Sequence, residues 1–319
     1  MNDLSKDSAT LIEVGEEAAG QRIDNFLLKI AKGVPKSHVY RILRSGEVRV
    51  NKGRVGAEYR LRSGDRVRVP PIRVATNIAP AVPPRDFAVA FEDDALLVID
   101  KPAGVAVHGG SGVSFGVIEQ LRRARPEARY LELAHRLDRE TSGLLVLAKK
   151  RSALNRLHEL FRSGGIGKRY LALVKGRWCN PLQHVRLPLQ KYLTAEGERR
   201  VSVANEGKEA HSIVRLKARW ENFSLVEVEL RTGRTHQIRV HLAHLGFPLA
   251  GDDKYGDFSL NKGLQKAGLK RMFLHAARLS LSHPLSGDSL DLEAPLPGEL
   301  ATFLAELDRH EERTYGNAF

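Results

Sequence analysis

The chain has 319 residues, 42% of them hydrophobic, with 51 Lys and Arg against 38 Asp and Glu and a formal net charge of +13. That length suggests two domains, and so large a surplus of positive charge suggests a polyanionic partner, nucleic acid ahead of membrane. No apolar run is long enough to span a bilayer, the polar start MNDLSKDSAT lacks a signal-peptide core, and the single cysteine, Cys179, excludes an internal disulfide, so a cytoplasmic protein is the simple expectation.

Residues 1–19 read as a flexible tail with room for one short strand. From Gln21, the residues Ile23, Phe26, Leu27 and Ile30 share one helical face. A second helix is expected from Pro35 to Ser45, with Gly46 as its stop. Val39, Ile42 and Leu43 would then face inward, leaving Lys36, His38, Arg41 and Arg44 largely outward. EVRVNKGRV alternates apolar and charged residues around an Asn-Lys-Gly turn, a hairpin signal, and DRVRV repeats the alternation. Residues 36–68 hold ten basic side chains against three acidic ones. That concentration favours a nucleic-acid footprint over an evenly solvated surface, and Lys36, Arg41, Arg44, Arg49 and Lys52 are its candidate RNA contacts. SHVYRILRSGEVRVNKGRV resembles the small RNA-binding domain first described in small-subunit ribosomal protein four. The resemblance implies contact with structured RNA, mainly through phosphates, by a domain over residues 20–69. Five prolines in 69–85 indicate an extended linker over 70–85, with a second domain from 86 to 319.

The second domain opens with FAVAFEDDALLVIDKPAG, two apolar runs flanking Glu92-Asp93-Asp94, which reads as a hairpin followed by a turn at Lys101-Pro102 and Gly104. Gly109-Gly110-Ser111-Gly112 has neither dinucleotide nor Walker spacing, which argues against a phosphate loop. A short helix is expected over 115–124. HRLDRETSGLLVLAK follows at 135–149: one carboxylate, Asp138, flanked by Arg136 and Arg139, then Gly143 and a continuous apolar run from Leu144 to Ala148 that reads as a buried strand. In isolation this stretch is either a surface ion-pair cluster or a reactive carboxylate presented on a rigid scaffold.

A helix from about Ser152 to Phe161 and a strand over 168–176 that begins with Tyr170 come next. Strands with polar turns then run to FSLVEVELRTG, ending at Gly233. In RTGRTHQIRVHLAHLG, Thr235 is a plausible N-cap, with Ile238, Leu242 and Leu245 on one helical face and Gly246 as the stop. Gly233-Arg234-Thr235 then lies at a helix N-terminus, a natural place for a phosphate, with Arg239 one turn in. His236, His241 and His244 lack the spacing and partners of a zinc site, and Asp252-Asp253 in GDDKYG read more simply as a turn than as a divalent-cation site. A strand over 274–284 and an amphipathic helix over 297–312 complete the chain. Strands outnumber helices and often follow one another directly, which makes the fold α+β.

IDKPAG, HRLDRETSG, KRYLALV, TGRTHQIRVH and LHAARLSLSHP, in this order across most of residues 95–285, resemble the pseudouridine synthases of the ribosomal large-subunit class. The resemblance implies a mixed, largely antiparallel sheet with a central cleft. It also implies conversion of uridine to pseudouridine in large-subunit (23S) ribosomal RNA without cofactor or metal. Asp138 matches the family's essential aspartate, Tyr170 the tyrosine that packs against the target uracil and can help remove its C5 proton, Arg239 the basic residue paired with the aspartate, and Arg136 the arginine that enters the RNA stack when the nucleotide flips out. Arg234 and His236, beside the same helix start as Arg239, join the RNA-binding candidates.

The chemistry asks for such residues. Taking a base out of its stack costs a few kcal/mol, and a planar cation can fill the gap. A carboxylate can act at C1′ of the sugar or at C6 of the base, and the sequence leaves both open. In either role it must stay ionised in a dry cleft, which an arginine partner favours. Two other functions compete: a non-catalytic rRNA-binding or ribosome-assembly factor, on the basic module alone, and metal-dependent RNA hydrolysis, on Asp252, Asp253 and the histidines. A monomer is expected.

Overall fold

Short amphipathic segments build the N-terminal part of the chain. In the computed structural model, which describes residues 4–5, 7–31, 33–72, 82–110 and 115–315, with side chains to 310, residues 1–83 together with 126–130 form one compact unit and residues 84–125 with 131–319 a second. The first unit comprises β1 (Thr10–Glu13), α1 (Ile23–Ile30), α2 (Lys36–Arg44), β2 (Arg49–Val50), β3 (Gly53–Arg54) and β4 (Arg66–Val69). Its strands form one sheet in the order β1-β4-β2-β3. The predicted apolar faces are the ones buried: Ile23, Phe26 and Leu27 on α1, and Val39, Ile42 and Leu43 on α2. The alternation in β4 leaves Arg66 and Arg68 exposed and Val67 and Val69 in the core.

The β2–β3 turn places both Asn51 and Lys52 at positive φ, 48° and 70°, the primed-turn geometry that matches strand twist. Buried Asp65 accepts a hydrogen bond from Asn51 Nδ2 (2.9 Å), and Asn51 Oδ1 accepts one from the Arg66 N–H (2.9 Å), which pins the turn. Residues 10–18 are not a tail. Thr10–Glu13 pairs antiparallel with Val69–Arg66, and Ile12, Val14 and Ala18 are buried in the same core, because the sheet needs an edge partner for β4. Ile72 is buried in this core too, while most of the expected proline linker, residues 73–81, lies outside the described residues.

The second unit contains β5 (Ala88–Glu92), β6 (Leu96–Lys101), α3 (Val117–Ala124), β7 (Glu132–Leu133), β8 (Ser142–Ala148), α4 (Arg151–Ser163), β9 (Gly167–Lys175), β10 (Leu182–Arg186), β11 (Leu189–Leu193), β12 (Arg199–Val203), β13 (His211–Arg219), β14 (Phe223–Leu230), α5 (Gln237–His244), α6 (Phe258–Lys266), β15 (Leu274–Ser282), β16 (Ser289–Glu293) and α7 (Gly298–Tyr315). Among the described residues a ten-stranded sheet runs β10-β13-β14-β9-β15-β8-β6-β5, with β16 on β15 and β7 on β8, and β11 and β12 form a separate hairpin. It is a mixed, largely antiparallel sheet in an α+β fold, as expected; the β15–β8 pairing is parallel.

Every residue of β8 is buried, which is why Ser142–Ala148 reads as a continuous apolar run. Gly143 has a φ of +108°, and a Cβ there would lie 2.3 Å from the Ala276 carbonyl oxygen on β15. Only glycine lets the two strands approach where the Asp138 loop enters the sheet. Strand β9 begins three residues before Tyr170, which puts the tyrosine inside the sheet, opposite Val228 on β14 and Ala276 on β15. Residues 111–114, with Ser111 and Gly112 of the glycine-rich stretch, lie outside the described residues.

Candidate active site

Two loops and one strand converge on a cleft of about 470 Å3. The loop before β8 brings Arg136 and Asp138, β9 brings Tyr170 and Lys168, and the loop between β14 and α5 brings Arg234 and His236, with Arg239 from the first turn of α5. All six cleft residues singled out from the sequence are thus brought together: Asp138, Tyr170, Arg239, Arg136, Arg234 and His236. Lys36, Arg41, Arg44, Arg49 and Lys52 belong to the N-terminal unit, where all five are exposed.

The Asp138 loop is held from beneath. Lys101, fully buried at the end of β6, donates to the carbonyls of Pro102 (2.8 Å), Val105 (2.9 Å) and Arg139 (3.1 Å). Burial pushes its ammonium down to about 7, with the nearby Arg271 adding to the effect. The Gly104 N–H also donates to the Arg139 carbonyl (2.9 Å), and Arg271 donates to Ser142 Oγ (2.8 Å). On the strand side His135 Nε2 accepts the Val146 N–H (3.0 Å). Burial, and then the charge of Lys168, lowers this imidazole to about 4. The loop that carries Asp138 is therefore fixed by donors that do not touch its carboxylate.

The carboxylate's cationic neighbour is Arg239. Its Nη1 lies 3.6 Å from Asp138 Oδ2, while its Nε and Nη2 make a bidentate pair with Asp252 (2.7 and 2.6 Å). The expected Arg239–Asp138 pairing is thus the loosest of three contacts: Asp252, read from sequence as part of a turn, is the primary partner, and exposed Asp253 lies 3.2 Å from Nη2. Both groups of that pair are buried. Burial opposes each charge, but the mutual hydrogen bonds override it, raising the arginine and lowering the carboxyl. Asp252 also accepts the N–H groups of Lys254 and Tyr255, so the carboxylate of the proposed cation site is already committed. The sequence-adjacent arginines do not pair with Asp138: Arg136 is exposed, and Arg139 faces Glu140 (3.5 Å) and the Gly104 carbonyl (2.9 Å).

Tyr170 is buried in the cleft wall. Burial, reinforced by the negative charge of Asp138, holds its phenol well above the usual tyrosine value, so the ring is neutral at physiological pH.

Residue 236 corrects the expected cap. His236, not Thr235, is the N-cap of α5, and it adopts a left-handed φ of 52°. Such a conformation costs a non-glycine residue about 1–3 kcal/mol and persists only where its surroundings enforce it. Here Gln237 fixes the preceding loop, accepting from the Arg234 N–H (3.0 Å) and the Thr232 hydroxyl (2.8 Å) and donating to the His211 carbonyl (3.1 Å) and Ser212 Oγ (2.9 Å). On its other side Tyr255 meets His236 Nδ1 (2.8 Å). The imidazole Nε2 faces Asp138 at 3.9 Å. His241 is buried between Ser212 Oγ (3.0 Å) and the Leu187 carbonyl (3.0 Å), a structural role far from metal ligation.

Lys101, Tyr255 and Arg271 carry this arrangement and are not among the candidates read from sequence, while Asp252 enters there only as a turn residue or a cation ligand. Lys101 lay within IDKPAG, and Asp252 and Tyr255 within GDDKYG. What gives them meaning is burial, which no local pattern reports.

Residues 95–244 match the family model for RNA pseudouridylate synthase, and residues 21–67 match the S4 domain. The chain is 53% identical over 307 residues to the ribosomal large subunit pseudouridine synthase C of Yersinia pestis, covering 94% of this chain and 96% of that protein. It is 52% identical over 309 residues to the protein of the same name from Escherichia coli (strain K12), covering 94% and 97%. Among solved structures it is similar to human RNA Pseudouridylate Synthase Domain Containing 4, with a TM-score of 0.58 and 26% identity over 69% of this chain and 93% of that one. The chain belongs to the RNA pseudouridylate synthase family and is an RNA pseudouridine synthase.

Proposed function

We propose that this enzyme converts specific uridines of large-subunit ribosomal RNA to pseudouridine, with Asp138 as the reacting carboxylate. The observation that carries the reading is the placement of Asp138 in a cleft 3.6 Å from a buried arginine, in a chain so similar along its length to large-subunit synthases. The conversion is an isomerisation. The C1′–N1 bond breaks, the uracil turns, C5 bonds to C1′, the C5 proton leaves and N1 gains a proton. Asp138 acts at C1′ or at C6. In both routes Arg239, 3.6 Å away, is the cation that faces the carboxylate as charge shifts during the reaction.

Tyr170 serves as an apolar wall for the flipped uracil. Its raised phenol suits that role better than proton removal, which needs the phenolate. Exposed Arg136 fills the gap left in the RNA stack, and Arg234 holds a backbone phosphate. The N-terminal domain, whose core runs from Ile12 to Ile72, anchors structured RNA through Lys36, Arg41, Arg44, Arg49 and Lys52, and the second unit is the catalytic domain. We place the activity in the cytoplasm, in a monomer.

Asp138→Asn tests the reading. The variant should bind rRNA within about twofold of wild type and form no pseudouridine. Pseudouridine formation at the normal rate would remove Asp138 from the chemistry. Sequencing of pseudouridines in rRNA from cells with and without the gene identifies the substrate. An unchanged map would favour the non-catalytic assembly role instead.

A further inference from the structure

Tyr255 lies outside the cleft lining, yet it touches three groups that matter to it. Its ring is packed under the Arg239 guanidinium, 5.1 Å from ring centre to Cζ. The ring also meets His236 edge-on, with centroids 5.5 Å apart. Its hydroxyl lies 2.8 Å from His236 Nδ1 and 3.0 Å from the backbone nitrogen of Val201 on β12.

The direction of these hydrogen bonds follows from the donors. The Val201 N–H can only donate, so the Tyr255 oxygen accepts from it. The phenolic hydrogen then needs an acceptor of its own, and His236 Nδ1 is the one in reach. Nδ1 must therefore carry the lone pair, and the neutral ring must carry its hydrogen on Nε2, the atom that faces Asp138 at 3.9 Å. With the opposite tautomer the Tyr255 oxygen would accept from both N–H groups, its own hydrogen would turn away from the one acceptor in reach, and a lone pair would point at a carboxylate. The groups facing His236 are Asp138, Arg239, Asp252 and Lys254, and burial favours the neutral ring.

We propose that Tyr255 is a positioning residue for the isomerisation: held by the Val201 N–H, its hydroxyl fixes His236 as the Nε2–H tautomer and so presents a hydrogen-bond donor at Asp138. The hairpin is part of the device. Glu198 binds both Arg200 (2.8 Å) and Lys254, and Arg200 donates to the Lys254 carbonyl (3.2 Å). Strand β12 and the 252–255 turn are thereby tied together next to the site, and the tautomer is set only while the hairpin is docked. The left-handed backbone of His236 belongs to the same device, because that strained conformation puts Nδ1 against Tyr255 while Nε2 reaches the cleft.

This inference rests on the proposed reaction for its kinetic consequence but not for its structural content, so the test has two arms. Tyr255→Phe keeps the ring and removes the hydroxyl. Nitrogen-15 spectra of histidine-labelled protein should show His236 as the Nε2–H tautomer in wild type and as a mixture in Tyr255→Phe. On rRNA substrate, kcat should fall roughly 10- to 100-fold with KM within about twofold. His236→Gln supplies an amide that has no tautomer, so adding Tyr255→Phe to it should cost little more, a strongly non-additive cycle. A wild-type Nδ1–H tautomer, a tautomer unchanged in Tyr255→Phe, a wild-type kcat in Tyr255→Phe, or additive losses would each overturn the proposal. If Tyr255→Phe does not fold, the wild-type tautomer still decides. If wild-type enzyme forms no pseudouridine in rRNA, the proposed function fails while the spectra still judge the role of Tyr255.

Discussion

Arg239 stands among three carboxylates, gripping Asp252 through two hydrogen bonds of 2.7 and 2.6 Å, reaching exposed Asp253 at 3.2 Å and holding its third nitrogen 3.6 Å from Asp138. The unequal distances divide the work. Asp252 balances the buried guanidinium and sets its plane, which leaves Asp138 near a cation but free of a tight hydrogen bond. A nucleophile locked into a bidentate pair would have to break it before reacting. One with a nearby, pre-aimed cation keeps its reach.

Asp252→Asn should therefore damage catalysis without touching substrate. Removing the buried charge leaves Arg239 only the longer contacts to Asp138 and exposed Asp253, at a cost on the order of 3 kcal/mol in stability. The freed guanidinium should turn toward Asp138 and tighten on it, lowering kcat roughly 100-fold. RNA affinity should stay within about threefold. Denaturant titration and single-turnover kinetics measure the two effects; a stable variant with normal kcat would show that Asp252 does not position Arg239.

How far the sequence discloses this arrangement depends on whether a residue's role is local. The helical faces of Ile23–Ile30 and Lys36–Arg44, the buried run of Leu144–Ala148 and the Asn51–Lys52 turn follow from spacing alone and appear as read. Arg239 and Tyr170 were reached through family motifs, since nothing in their own neighbourhoods marks them. The misreadings are long-range. The strand allowed for within residues 1–19 could not be placed from sequence, because the partner of Thr10–Glu13, Arg66–Val69, lies more than fifty positions away. Thr235 has the better capping chemistry, but Gln237 and Tyr255 hold His236 in the left-handed conformation that makes it the cap. Lys101 resembles any charged residue after a strand until three carbonyls from two loops close on its ammonium. Helix Phe258–Lys266 went unread: only Leu264 on it is buried, and its clearest signal is the Asp257 cap, which accepts the Leu260 N–H (2.9 Å).

The exposed cations of the N-terminal unit should act through charge rather than shape. Arg41 lies 3.2 Å from His38 Nδ1 and 3.9 Å from Glu47, Arg44 donates to the Tyr40 carbonyl at 3.4 Å, and both side chains are exposed, so both are available to phosphates. Replacing Lys36, Arg41 and Arg44 together by Gln should reduce the slope of log K against log salt by about 0.7–0.9 per lost phosphate contact. Turnover at saturating RNA should be unchanged. Filter binding from 50 to 300 mM salt gives the slope, and an unaltered slope would mean that these side chains do not meet RNA.

His135 should make the catalytic loop sensitive to acid. Its Nε2 accepts the Val146 N–H and so must be unprotonated in the folded protein, and burial holds its titration at about 4 instead of the ordinary 6.5. Between those values the unfolded chain binds a proton that the folded chain refuses, so stability rises with pH across this window. The contribution is fully present above pH 6.5 and is lost as pH falls toward 4, amounting to about 1–3 kcal/mol. His135→Gln keeps an acceptor for Val146 without a titrating ring. The variant should be somewhat less stable than wild type at pH 7.5, and the gap should narrow or reverse by pH 4.5. Urea unfolding of both proteins at the two pH values measures it, and a gap that does not change with pH would mean that His135 binds its proton equally well in the folded and the unfolded chain.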